Sequence, residues 1–106
     1  MMLKEFDDKN WENEIKEEPV TICQMSAHWC SPCQSLKVVM EKLSEEYKDK
    51  ANFYYGDVEE GAINTASQLG IRGVPSTICW KKGVEVDRLV GNPGEAKVRE
   101  FLDKNI

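Results

Sequence analysis

Three features of the sequence predict an α/β fold, with a central mixed sheet covered by helices on both faces. Apolar, partly β-branched runs alternate along the chain with segments whose apolar residues recur at helical spacing. Helices interleaved with strands in this way cannot all lie on one side of a sheet without crowding. The last two strand-like runs are separated only by Lys81-Lys82-Gly83, which marks an antiparallel hairpin at one edge. The expected order is β-α-β-α-β-α-β-β-α in a single domain over 1–106, because 106 residues hold one core and no second.

Each element has a local reason. Leu3 to Phe6 is a short edge strand, and Asp7 or Asp8 is the N-cap of a helix on which Trp11 and Ile15 form an i, i+4 apolar pair. Pro19 ends that helix. Val20 to Ala27 is mostly apolar, as suits a strand covered on both faces. From Pro32 to Tyr47 the period changes, and Leu36, Val39, Met40, Leu43 and Tyr47 fall on one helical stripe. Asn52 to Val58 returns to strand composition and leads to an acidic loop at Glu59-Glu60-Gly61. Ile63 to Leu69 is a short helix stopped by Gly70. Thr77 to Trp80 and Val84 to Val90 are the hairpin strands, and Pro93-Gly94 introduces a last helix that turns Val98, Phe101 and Leu102 inward.

Composition removes several classes of function. A net charge of −5 would repel a phosphate backbone, so no nucleic-acid partner is expected. The acidic pairs Glu45-Glu46 and Glu59-Glu60 read as solvated faces. No apolar run approaches the roughly 18 residues of a membrane span, and "MMLKEFDDKNW" has no apolar secretory segment. A cytoplasmic monomer without membrane contact is therefore expected, in a compartment that keeps thiols reduced. There, a close cysteine pair is catalytic or metal-binding rather than a static cross-link.

That pair is Cys30 and Cys33, in "SAHWCSPCQSL". Cys30 stands at the exit of a buried strand and directly before a helix whose first turn carries Pro32. It faces backbone N–H groups that have no helical partner, together with the positive end of the helix dipole. Such a setting favours the thiolate, which is the nucleophilic form. Cys33 lies about one turn further in and is expected to be the more shielded sulfur. An exposed nucleophile beside a covered second thiol suits two-step exchange: Cys30 attacks a disulfide, and Cys33 resolves the mixed disulfide.

The chain resembles the thioredoxin family along nearly its whole length. The likeness rests on Trp29-Cys30-Ser31-Pro32-Cys33, Ile71-Arg72-Gly73-Val74-Pro75, the Lys82-Gly83 turn and Val90-Gly91. The resemblance implies a thioredoxin-like three-layer sandwich and a thiol–disulfide oxidoreductase, with a Cys30–Cys33 disulfide in the oxidised form. It implies that Pro75 is a cis-proline facing the cysteines and that Trp29, Val74, Pro75 and Gly91 form the apolar rim where substrate docks. Client proteins with disulfides and a thioredoxin reductase or equivalent donor are the implied partners. No cofactor is implied, because the sulfur pair itself carries the electrons. Ser31-Pro32 tunes the pair and is closer to the Gly-Pro of reducing members than to the histidine-containing dipeptides of oxidising ones.

Two departures from the family pattern stand out. Gln24 occupies the place, six residues before Cys30, of a buried aspartate that helps to deprotonate the second cysteine. Glutamine can hydrogen-bond but takes no proton at neutral pH. Tyr55 corresponds to the family's partner lysine. Losing both is physically coherent, since removing one partner of a buried pair costs about 3–5 kcal/mol whereas replacing both can be neutral. The expected consequence is that resolution by Cys33 is slower or relies on water, leaving a longer-lived mixed disulfide. Ser26 also stands where an aromatic residue is usual.

The remaining candidates have plainer readings. Cys23 and Cys79 lie in apolar strands, where cysteine acts as a small hydrophobe. His28 either tunes Cys30 electrostatically or, more plainly, is a partly exposed strand-end residue. Trp11 and Trp80 are core or near-core aromatics, and Arg72 is a surface group that could meet a partner. A structural zinc site wants four ligands, commonly as two close pairs, and no second C-x-x-C exists, so no metal is expected. A thioredoxin-like binding scaffold is the alternative function, although such scaffolds often lose a cysteine and this chain keeps both.

Overall fold

The computed structural model describes residues 3–9, 12, 15, 16 and 18–106. Among these residues the fully described elements follow in the order β1 (Leu3–Glu5), β2 (Thr21–Ser26), α1 (Ser31–Glu46), β3 (Asn52–Asp57), α2 (Ile63–Leu69), β4 (Ser76–Lys81), β5 (Val84–Val90) and α3 (Glu95–Asn105). Between β1 and β2, Glu12 and Ile15 are helical and Ile15 is buried. Trp11, and with it the expected Trp11–Ile15 pair, lies outside the described residues.

The strands form one sheet in the order β1-β3-β2-β4-β5. β3 runs parallel to both β1 and β2, whereas β2–β4 and β4–β5 are antiparallel, so the sheet is mixed as expected. All six residues of β2 are buried because this central strand is covered on both faces. Alternation along the strands separates two cores. Ile22, Phe53 and Cys79 face Leu36, Met40 and Leu43 of α1 and Val98, Phe101 and Leu102 of α3. Cys23, Met25, Tyr54, Ile78 and Trp80 face the opposite side, against Phe6, Ile15 and Ala66 of α2. Trp80 stacks on Phe6 at 5.5 Å between ring centroids, which makes it the core aromatic expected.

The hairpin turn takes positive φ at both Lys82 (53°) and Gly83 (82°), as a two-residue turn between twisted strands requires. A Cβ on Gly83 would also come within 3.2 Å of Lys16 Cα, so glycine answers two constraints there. On the outer surface, Arg99 of α3 reaches Glu46 of α1 through two bonds of 2.8 and 2.9 Å. The acidic end of α1 is thus partly an ion-paired surface rather than a purely solvated one.

The first turn of the helix that Asp7 or Asp8 is expected to cap lies outside the described residues. Asp7 Oδ1 closes a local turn by accepting from Lys9 N at 3.0 Å. Asp8 caps a helix more than fifty residues away, accepting from Asn64 N at 3.0 Å and from Thr65 N and Oγ1 at 2.7 Å. The reason is local: Ala62, at the N-cap of α2, has no side-chain oxygen to offer. Burial pushes the Asp8 carboxyl up, but the Thr65 and Asn64 hydrogen bonds outweigh it and hold the group below its ordinary range.

Candidate active site

Cys30 and Cys33 lie where β2 ends and α1 begins, joined as a disulfide with Cα atoms 5.2 Å apart. Cys30 is the N-cap of α1, with extended φ and ψ of −88° and 113°, and its sulfur accepts from the Cys33 N–H at 3.3 Å. The Cys30 carbonyl accepts from Gln34 N at 3.1 Å, the first full helical hydrogen bond. Ser31 and Pro32 fill the first turn and leave the Cys30 sulfur as the group facing the open amides.

The expected exposure of the two sulfurs needs correction. Cys33 is wholly buried, as anticipated, but Cys30 keeps only 6% of its surface. Its sulfur is bonded to Cys33, and the two cysteines cluster with Ala27, against which Val58 and Val74 pack. Trp29 beside it is 62% exposed, so the surface-facing part of this corner is an indole and not a thiol. A groove of about 390 Å³ opens here, lined by Trp29, Cys30, Val58, Ile71, Arg72 and Val74.

Pro75 follows a cis peptide bond from Val74, and its carbonyl accepts from Gly91 N at 2.7 Å. That bond and the packing of Val74 bring Val74, Pro75 and Gly91 together at the end of the sheet that carries the cysteines. Arg72, read from sequence as a surface group, is exposed on the groove wall.

Gln24 is fully buried on β2, paired in register with Tyr55 on β3 and Thr77 on β4. Its Nε2 donates to Ser26 Oγ at 2.7 Å and to the Cys33 carbonyl at 2.9 Å. The two departures at positions 24 and 26 are therefore one feature, because a small hydroxyl at 26 gives the amide at 24 a partner. Sequence reasoning treated them separately, although i, i+2 spacing on a strand places both on one face. Tyr55 is covered in turn by Gln34 Nε2 at 3.3 Å from its hydroxyl and by Lys37 Nζ at 4.5 Å from its ring centroid.

His28 is exposed and pairs through Nδ1 with Asp57 Oδ2 at 3.1 Å. The hydrogen bond to Asp57 raises its pKa above the ordinary value, against a smaller desolvation effect and with help from the charges of Asp57, Glu60 and Glu59. His28, Asp57 and Glu60 bring one ligand-type atom each within 4.8 Å of one another, but the His28–Asp57 pair already joins two of the three. Cys23 and Cys79 are free thiols buried in opposite cores. Desolvation drives the Cys23 thiol far up and pushes Cys79 up to about 11, so both remain inert hydrophobes at neutral pH.

Comparison with known proteins agrees with this geometry. The thioredoxin family model matches residues 2–104. Thioredoxin of Staphylococcus saprophyticus is 30% identical over 106 residues, covering the whole of both chains. A chloroplastic thioredoxin of Arabidopsis thaliana is 33% identical over 102 residues, and the chain spans half of that relative's length. Among solved structures, Malassezia sympodialis thioredoxin superposes with a TM-score of 0.87 at 27% identity, covering 97% of this chain and 90% of that one. Plasmodium falciparum thioredoxin shares the fold with a TM-score of 0.91 at 24% identity, covering 98% and 100% of the two chains.

Proposed function

The chain belongs to the thioredoxin family and is a thiol–disulfide oxidoreductase of the protein-disulfide reductase kind, and on that premise we propose how its residues divide the work. Cys30 is the nucleophile. Its thiolate attacks one sulfur of a client disulfide, and the other client sulfur leaves with the bonding electron pair. Cys33 then attacks Cys30, releases the second client sulfur and closes the Cys30–Cys33 disulfide. Two electrons have passed to the client, and no bound cofactor takes part.

The observation that carries this reading is the Cys33 N–H donating to the Cys30 sulfur at the N-cap of α1. A hydrogen bond to sulfur combined with the helix dipole stabilises the thiolate over the thiol. Trp29, Val74, Pro75 and Gly91 form the docking rim. The Val74 backbone pairs with an extended client segment in strand fashion. Ser31 and Pro32 tune the thiolate by shaping the first turn, and Gln24 acts from behind.

The partners that fit are proteins carrying accessible disulfides and, as electron donor, a thioredoxin reductase or an equivalent dithiol source. Among the described residues no helix is long and apolar enough to cross a membrane, and a reducing cytoplasm suits a protein that must be re-reduced after each turnover. A single-domain monomer over 1–106 completes the proposal. Insulin reduction driven by dithiothreitol tests it: the chain should accelerate precipitation of the insulin chains catalytically. An absence of turnover would favour the scaffold reading instead.

A further inference from the structure

The hydrogen bonds around Gln24 are only half made. Both amide hydrogens are used, on Ser26 Oγ and on the Cys33 carbonyl, while Oε1 is buried without a partner. Among the described residues one other buried side-chain oxygen or nitrogen lacks a partner, and that atom is Thr77 Oγ1. Gln24 and Thr77 are directly opposed in the β2–β4 register, so both side chains leave the sheet on the face that carries α1 and Cys33. The two residues are neighbours in the sheet, and Gln24 reaches the backbone of the resolving cysteine.

Buried acceptors are nearly always satisfied, and leaving one open is costly. In the disulfide, Cys33 has no hydrogen to give. Reduction puts one on its sulfur. We propose that Gln24 Oε1 accepts a hydrogen bond from the Cys33 S–H in the dithiol state, completing on reduction a contact that the disulfide leaves open. The inference rests on the reductase reading above and makes Gln24 a positioning residue that acts through Cys33.

Two consequences follow from the chemistry. The dithiol is stabilised relative to the disulfide, which makes the couple less reducing than it would be without the acceptor. The amide also holds the Cys33 proton without being able to remove it. In resolution the Cys33 sulfur attacks Cys30, the Cys30–client bond breaks, and its electron pair leaves with the client sulfur. The proton that Cys33 gives up passes through solvent to that departing thiolate, not to a buried base. The mixed disulfide is correspondingly longer-lived.

Gln24→Met keeps the volume and removes the acceptor. The first readout is the infrared S–H band in a reduced-minus-disulfide difference spectrum, which cancels the unchanging Cys23 and Cys79 thiols. The second is the equilibrium of the Cys30–Cys33 pair with a reference dithiol. Wild type should show a hydrogen-bonded S–H band that moves to the free position in Gln24→Met. The equilibrium should shift about tenfold toward the disulfide, roughly 30 mV lower in potential. Thr77→Val should leave the band in place and the equilibrium within about twofold. A band unmoved by Gln24→Met, or one lost in Thr77→Val alone, overturns the assignment and leaves the two oxygens to a permanent buried water.

If Gln24→Met does not fold, Gln24→Glu supplies the test. A carboxylate there should add a pH-dependent limb to the rate at which the mixed disulfide resolves, and a profile identical to wild type contradicts the proposal. Insulin turnover by wild type, run alongside, separates the two possible failures. An active wild type with an unmoved band sinks this inference alone, whereas an inactive one sinks the reductase reading.

Discussion

The chain carries its four cysteines in two regions, and the same side chain behaves differently in each. Cys23 and Cys79 sit in the middle of β2 and β4, packed in opposite cores, with desolvation holding both as thiols. Cys30 and Cys33 sit where β2 gives way to α1, and there a backbone N–H points at the Cys30 sulfur. Burial does not separate the regions, since Cys30 is also covered. What separates them is the start of a helix. Cys23 also receives a backbone hydrogen bond, from Gly56, but burial outweighs it, whereas Cys30 faces the first amides of α1, which are free to stabilise an anion. Reactivity here belongs to the place in the backbone rather than to the exposure of the sulfur.

Replacing the thiols one at a time breaks this comparison most sharply. Cys30→Ser should reduce insulin turnover to the uncatalysed background, and Cys33→Ser should accumulate a mixed disulfide visible by mass spectrometry. Cys23→Ala and Cys79→Ala should leave turnover within about twofold and cost roughly 1 kcal/mol of stability in denaturant titrations, as small core deletions do. Loss of turnover in either core variant would erase the distinction between the regions.

A second test addresses the framework away from the sulfurs. Asp8→Ala removes three hydrogen bonds to the start of α2 and should lower stability by about 1–2 kcal/mol without changing turnover at neutral pH. Because the Asp8 pKa is depressed by folding, its contribution is present above the ordinary aspartate value near 3.9 and is lost as pH falls through the folded value. Wild type and Asp8→Ala should therefore converge in stability under acid, and a constant difference down to pH 2 (an approximate lower limit for the titration, roughly 2 units under the ordinary value) would contradict the capping account.

The smallest effect concerns the edge of the redox corner. His28 should titrate above the ordinary value of about 6.5 by NMR and return toward it in Asp57→Asn. Its raised pKa contributes stability that is fully present below the unfolded value and is lost as pH rises through the folded one. Turnover in His28→Gln should change little, because the pair lies on the exposed surface. A large loss would move His28 from an exposed surface pair into the chemistry.

Much of this was legible in the sequence. The strand and helix periods located every described element to within a residue or two, since each buries a continuous apolar face. Trp29-Cys30-Ser31-Pro32-Cys33 located the redox corner, because a helix start next to a buried strand is a local property. Contacts between distant segments were not legible. Nothing near Asp8 announces that it caps α2, since the need arises at Ala62, which has no side-chain oxygen to cap with. Val58 and Val74, which pack against the Ala27, Cys30 and Cys33 cluster, are brought there by the segments flanking two other strands. Gln24 was recognised as a departure, but its bond to the Cys33 carbonyl and its open Oε1 depend on the packing of α1 over the sheet.

The account turns on the state of one sulfur in the reduced protein. Ultraviolet absorbance of the thiolate, followed against pH with Cys33→Ser as the variant that isolates Cys30, reads that state directly. A midpoint clearly below the value of about 8.5 for a free cysteine is the predicted result. A midpoint at or above that value would mean that the first amides of α1 do not stabilise the Cys30 thiolate, and the division between the two cysteine regions would fall with it.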